Sequence, residues 1–440
     1  MGISLSIRDS VPSKGFFFSV FRNNYNHTLM MKQLKYRLIL MNFLQFFIWG
    51  AWLISLGGYM ASVLHYSGLE IGAIYGTMGI ASLFMPGLLG ILADKYVAAQ
   101  KLLGACHLIG AILLVYASTL SSYSVFYPVM LLLCMSYMPT LALTNTIAYT
   151  AMEKAGMDIV REFPPIRVWG TVGFILAMWT VDICGWVMSS MQFYVSAVAS
   201  LALGLYAFTL PHCPPAKENK KKGVLAVLGL DAFVLFRQRR MAIFFLFAML
   251  LGAALQVTNT FGNPFLSHFA DAYSESFAVQ HPNVLLSLSQ ISETLFILTI
   301  PFFMGRFGIK RVMLMSMLAW VLRFAFFGLG NPGSGFIFLV LSMIVYGMAF
   351  DFFNISGSMF VDRETTPSIR AAAQGLFMIM TNGIGAIIGG FASGWVVDRF
   401  TDAGHTAWST VWYIFAAYAL VIAILFAFFF KSESSPLSRS

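Results

Sequence analysis

Glu293 and Asp351 are carboxylic acids set inside apolar stretches long enough to cross a bilayer. A charge at the centre of a membrane costs roughly 2.5–3.5 kcal/mol on insertion scales, so an acid there faces a watery cavity or a polar partner. Both acids have polar company at helical spacing. Gln290 and Glu293 are three residues apart and share one helical face, flanked by Ser287 and Thr294. Gln256 and Asn259 repeat that spacing within Leu255-Gln-Val-Thr-Asn259, and Tyr346 and Phe350 lie one turn apart beside Asp351 and Asn354. A fourth stripe, Arg167, Thr171 and Phe174, is entered through Phe163-Pro-Pro-Ile-Arg167.

These stripes share a chemistry. Amides donate and accept together, which suits a ligand bearing hydroxyls and heteroatoms. Phe and Tyr offer flat faces to a ring. The match is to an uncharged, hydroxylated, planar-ringed solute, a nucleoside more than an amino acid. A nucleotide would call for several cations, and only Arg167 and Arg323 are candidates. Plainer readings stand beside this one. An amide in a span can bridge helices for about 0.6–2 kcal/mol, an aromatic ring can simply pack, and Arg167 can anchor the end of its helix. Arg323 is expected to pair with an acid, Asp182 to lie at an interface, and His107 to be a packing histidine. The chain has no clustered His, Asp or Ser nucleophile motif and no metal-ligand spacing, so neither catalytic residues nor a metal site is expected. Cys106, Cys134, Cys184 and Cys213 read as buried reduced thiols.

The elements that position these residues follow from composition. Of 440 residues, 59% are hydrophobic and 10% charged, so the solvent is the lipid bilayer. The net charge of +9 is spread over short connectors, which argues for a topology signal and against nucleic acid. Apolar windows fall near 38–61, 71–92, 102–120, 125–149, 166–187 and 190–210, then 241–264, 284–304, 311–330, 335–361, 371–397 and 407–430. The expected fold is an all-α membrane protein of twelve transmembrane helices in two six-helix lobes, 36–210 and 241–430. They are joined by a cytoplasmic loop, 211–240, and flanked by a disordered extension, 1–35, and a tail, 431–440. Lys and Arg alternate between connectors, so both termini are expected in the cytoplasm. Gly90-Ile-Leu-Ala-Asp94-Lys95 resembles the loop signature of the major facilitator superfamily, which implies a cytoplasmic gate at Gly90, Asp94 and Lys95. Its counterpart, Gly305-Arg306-Phe307-Gly308-Ile309-Lys310-Arg311, lacks the acid.

Longer runs carry a closer likeness. Phe43-Leu-Gln-Phe-Phe-Ile-Trp-Gly50, Phe163-Pro-Pro-Ile-Arg167, Gly229-Leu-Asp-Ala-Phe233, Gln290-Ile-Ser-Glu293-Thr-Leu-Phe-Ile-Leu-Thr-Ile-Pro301 and Tyr346-Gly-Met-Ala-Phe-Asp351-Phe-Phe-Asn-Ile-Ser-Gly357 resemble the nucleoside:H+ symporter family of that superfamily. The likeness spans about Met31 to Lys431. It implies proton-coupled uptake of purine and pyrimidine nucleosides across the bacterial inner membrane by a monomer, with xanthosine an open case and the proton in place of a cofactor. It also implies substrate contacts at Arg167, Thr171, Phe174, Gln256, Asn259, Gln290, Glu293, Tyr346 and Phe350. Proton coupling is expected at Asp351, with Glu293 sharing or exchanging that role. The alternative is a major facilitator transporter or proton antiporter for another neutral solute, a sugar or a drug.

Overall fold

The structure, a computed structural model, describes residues 14–215, 230–366 and 369–430. Lys217, Lys220, Lys221 and Lys222 of the central connector, Gly229 of the resemblance motifs, and the expected tail, 431–440, lie outside them, as do residues 1–13 of the expected extension. Helix dominates what is described, as lipid demands. Without water to satisfy amides and carbonyls, a crossing segment must pair them within itself.

The chain begins with α1 (Lys14–Gly50), a turn through 51–55 and the short α2 (Leu56–Ser62). There follow α3 (Gly68–Lys95), α4 (Ala99–Ala117), α5 (Tyr123–Tyr137), α6 (Thr140–Lys154), α7 (Ile159–Ile183) and α8 (Met191–Ala207). After the 3-10 turn Leu230–Arg237 come α9 (Arg239–Ser267), the single-turn α10 (Phe277–Gln280) and α11 (Pro282–Leu329). The series ends with α12 (Phe336–Glu364), α13 (Arg370–Met378), α14 (Ala386–Arg399) and α15 (Trp408–Phe429). A π-helical stretch, Ile379–Gly385, joins α13 to α14.

Among the described residues, nine helical stretches are long and apolar enough to cross a membrane. The difference from the twelve expected windows has local causes. The windows 284–304 and 311–330 fall on the two limbs of α11, a 48-residue helix interrupted at Gly308, where φ is 74° and ψ 168°. That backbone is open to glycine at no steric cost. The window 38–61 is divided between α1 and α2, and α8 has 17 residues. One expectation is corrected. The 1–35 extension is not wholly without structure, because α1 begins at Lys14 and the sequence offers no Gly or Pro between Phe16 and Gly50 to stop it.

The two halves of the chain meet where glycines let backbones touch. On α3 and α14, a methyl group on Gly72 would run into the carbonyl of Gly390, and one on Gly394 into that of Gly68. Gly57 of α2 approaches the carbonyl of Thr260 on α9 in the same manner. Such contact replaces the hydrophobic drive that is absent between helices in lipid. Gly72→Val is therefore expected to cost about 1–3 kcal/mol through overpacking and to lower the unfolding midpoint in detergent. Gly90→Val, with nothing within 4 Å of the added carbon, is expected to leave that midpoint unchanged.

Candidate functional site

Where α7 crosses α1, two small residues govern the approach. A side chain on Gly173 would collide with the backbone of Phe43, and one on Gly170 with the ring of Phe46. The resulting contact sets the Arg167 guanidinium 3.9 Å from the centre of the Phe46 ring, a stacked cation–π arrangement. Thr171 and Phe174 follow on the same face, and Phe174 meets Trp49 edge-on at 6.2 Å. Upstream, Asp158 caps the helix, its Oδ1 accepting from the amides of Val160 at 3.0 Å and Arg161 at 3.3 Å.

The opposing wall comes from the second half. On α9, Gln256 donates to Thr260 Oγ1 at 3.3 Å, while the Asn259 side chain has no partner among the described contacts. On α12, Tyr346 and Phe350 lie parallel within 2°, their ring centres 5.8 Å apart. Gln290 of α11 completes this wall beside them. Glu293, one turn further along, is within electrostatic reach of Arg167 on the other side.

These side chains bound one cavity of about 430 Å³, within the roughly 300–1,000 Å³ of small-molecule sites. The structure thus brings together Arg167, Thr171, Phe174, Gln256, Asn259, Gln290, Glu293, Tyr346 and Phe350 on its wall. Asp351 is not on that wall. One residue beyond Phe350 it points about 100° around the helix and is buried, with Oδ2 lacking a hydrogen-bond partner, yet within electrostatic reach of Glu293. Further lining residues were not anticipated: Trp49, Ser82, Asn145, Thr381 and Asn382. Asn145 carried a readable signal, an amide between two threonines inside an apolar window. The π-helical turn that presents Asn382 did not; wide turns of this kind recur at functional sites.

One end of the molecule is closed by bonds between the halves. Asp182, at the end of α7, is buried and accepts from the amides of Asn283 at 2.7 Å and Val284 at 3.2 Å, with His281 Nδ1 2.6 Å from its other oxygen. A carboxylate at the positive end of α11 is favoured there. Asp398, at the end of α14, does the same for α3, accepting from Gly68 at 2.5 Å and Leu69 at 2.8 Å. Trp179 Nε1 donates to Ser287 Oγ at 2.9 Å alongside. At the opposite end, Asp94 and Lys95 are exposed and form no ion pair among the described residues.

Three readings of the sequence are corrected. Asp182 is a buried bridge between the halves and not a residue at an interface with water. Arg323 meets serines and aromatic rings instead of an acid. Cys184 is exposed, whereas Cys106, Cys134 and Cys213 are buried free thiols. His107 is a satisfied packing residue, held between Gln45 at 2.9 Å and Ser200 at 3.2 Å.

A family model described as nucleoside H+ symporter matches residues 31–435. The nucleoside permease NupG of Escherichia coli (strain K12) is 54% identical over 401 residues, covering 90% of this chain and 96% of that protein. The xanthosine permease of the same organism is 54% identical over 403 residues, covering 91% and 96%. A crystal structure of the nucleoside transporter NupG superimposes with a TM-score of 0.86 at 54% identity, over 91% of this chain and 100% of that one. The POT family transporter PepTSo gives 0.68 at 13% identity over 90% and 97%, a likeness of fold alone.

Thiol labelling checks the cavity. In a Cys184→Ser background, Asn382→Cys is expected to react readily with a small hydrophilic maleimide, because Asn382 is exposed in the cavity wall. Phe352→Cys, at a fully buried position, is expected to stay unmodified; equal labelling of the two would refute the geometry.

Proposed function

The chain belongs to the nucleoside H+ symporter family, and from that premise we propose that it takes up nucleosides with protons across the bacterial inner membrane by alternating access. The single observation that carries this reading is the cavity. Nine side chains suited to a neutral, hydroxylated, ringed solute converge on it from four helices, three on the first half of the chain and six on the second. Amides of Gln256, Asn259 and Gln290 meet base and sugar edges, and Phe174 and Phe350 offer faces to the base or ribose. Purine and pyrimidine nucleosides are the substrate class, and similarity to a xanthosine permease adds xanthosine to the panel worth testing.

The architecture in this proposal is two lobes of six crossings, twelve in all, with both limbs of α11 counted separately. The protein acts as a monomer in the lipid bilayer, with both termini and the 211–240 loop in the cytoplasm, as the Lys and Arg distribution of the connectors argues. No cofactor is required; the proton is the coupling ion. In that orientation the bonds of Asp182 and Asp398 lie at the periplasmic end, and every described hydrogen bond between the halves belongs to this end. The periplasmic side is therefore shut, while Gly90, Asp94 and Lys95 form a cytoplasmic gate standing disengaged.

Coupling is assigned to Asp351 and Glu293. Glu293 stands in the cavity facing Arg167 across the lobes, so a ribose hydroxyl entering between them competes for its oxygens. Asp351 lies behind the wall with an unpartnered oxygen. A bare charge is costly there, and a proton taken up at that site removes the cost.

Labelled uridine uptake into vesicles with an imposed pH gradient tests the proposal. Wild-type protein is expected to accumulate uridine when the outside is acid. Asp351→Asn is expected to lose accumulation while still exchanging uridine across the membrane, and uphill uptake by this variant would remove Asp351 from the coupling role. Glu293→Gln is expected to raise KM about tenfold, the loss of one charge-assisted hydrogen bond; an unchanged KM would argue against contact. A separate measurement addresses closure. Asp182→Ala is expected to lengthen the spin-label distance between Val63→Cys and Phe400→Cys, both exposed positions at that end, and no lengthening would contradict the assigned latch.

A further inference from the structure

Arg323 is a fully buried cation that the transport reading leaves without a task. It is 3% exposed, does not line the cavity, and forms no ion pair among the described residues. Taking a guanidinium out of water is expensive unless its donors and its charge are engaged. Its donors are partly engaged by groups on two other helical segments. Nη1 donates to the Ser342 carbonyl of α12 at 2.8 Å and to Ser289 Oγ, on the first limb of α11, at 3.3 Å. Ser342 Oγ returns a bond to the Arg323 carbonyl at 3.0 Å. Arg323 itself belongs to the second limb of α11, beyond the break at Gly308. One side chain thus ties both limbs of α11 to α12.

The charge is engaged by an aromatic ring. The guanidinium carbon lies 4.4 Å from the centre of Tyr346, closer than its 5.3 Å to Phe327, and Trp320 meets Tyr346 edge-on at 6.1 Å. Tyr346 passes this constraint on. Its ring is parallel to Phe350, and both line the cavity together with Gln290. Ser289, the residue bonded to Arg323, is the chain neighbour of Gln290. Arg323 Nε keeps no partner at all, which marks the ring contact and the two Nη1 bonds as the reasons this cation is held here.

We propose that Arg323 is a positioning residue of the substrate site, fixing Tyr346 from beneath so that Phe350 and Gln290 present a prearranged stacking face and amide to the nucleoside. The proposal rests on the nucleoside-transport reading. A guanidinium held over one face of a ring restrains that ring in place, and an affinity that depends on a prearranged wall falls when the wall can turn.

The experiment is a double-mutant cycle on uridine transport and on uridine binding to purified protein, using Arg323→Met, Tyr346→Leu and the pair. Wild type must first transport uridine; if it does not, the transport reading fails, whatever Arg323 does. Given transport, Arg323→Met is expected to raise KM and Kd about threefold to thirtyfold, the span of a buried cation–π contact, with Vmax within about twofold of wild type. In the Tyr346→Leu background the same change is expected to add nothing further, because Arg323 acts through that ring. Unchanged affinity, or an equal loss in the presence and absence of Tyr346, would overturn the proposal. Should Arg323→Met fail to fold, Arg323→Lys carries the same cycle, since a lysine keeps the charge but lacks the planar group that lies over Tyr346.

Discussion

A charge inside lipid has to find its partner within the protein, and the arrangement of this molecule follows from that requirement. Arg167 and Glu293 sit on opposite halves of the chain and line the same cavity, within electrostatic reach of each other. Neither could be placed in its apolar window without the other half, or without a watery space between them. The cavity is the consequence: a space between the two halves whose largely apolar wall carries the few polar groups that would be too costly elsewhere in the span. Arg323 meets the same requirement differently, with serines and an aromatic face replacing an acid.

Closure at one end uses a related solution. Asp182 and Asp398 each sit at the end of one helix and accept from the first amides of a helix in the other half. The two contacts are reciprocal, one carboxylate supplied by each half. Amides at a helix start have no partner within the helix, so a carboxylate satisfies donors that would otherwise need water. Glycine-lined contact between α3 and α14 brings the backbones close enough for this. Such bonds are few and lie at the rim, so they can break without disturbing the packing of either half, as alternating access demands.

Much of the site was legible in the chain because helical spacing is local. Polar residues three, four or seven apart share a face whatever surrounds the helix, and the four stripes found in this way do line one cavity. Residues beyond reach of that logic were read less well. Asp182 resembles any acid near a helix end until α11 is brought against it, and its partners stand about a hundred positions away, Asn283 being 101 residues distant. Arg323 was expected to pair with an acid because charge suggests charge, but the ring that meets it is on another helix. Asn382 was missed because the π-helical turn shifts its face by an amount that regular spacing does not anticipate.

By itself the sequence determined that the chain lives in lipid, where its apolar windows fall, and which side chains share each helical face, since these depend on composition and on a fixed turn of 3.6 residues. Tertiary structure decided which faces meet. It put Asp351 behind the wall and Glu293 on it, turned α11 into two limbs at Gly308, and joined the halves through Asp182 and Asp398. Those outcomes depend on contacts between segments far apart in the chain, and no local pattern carries the distance between them.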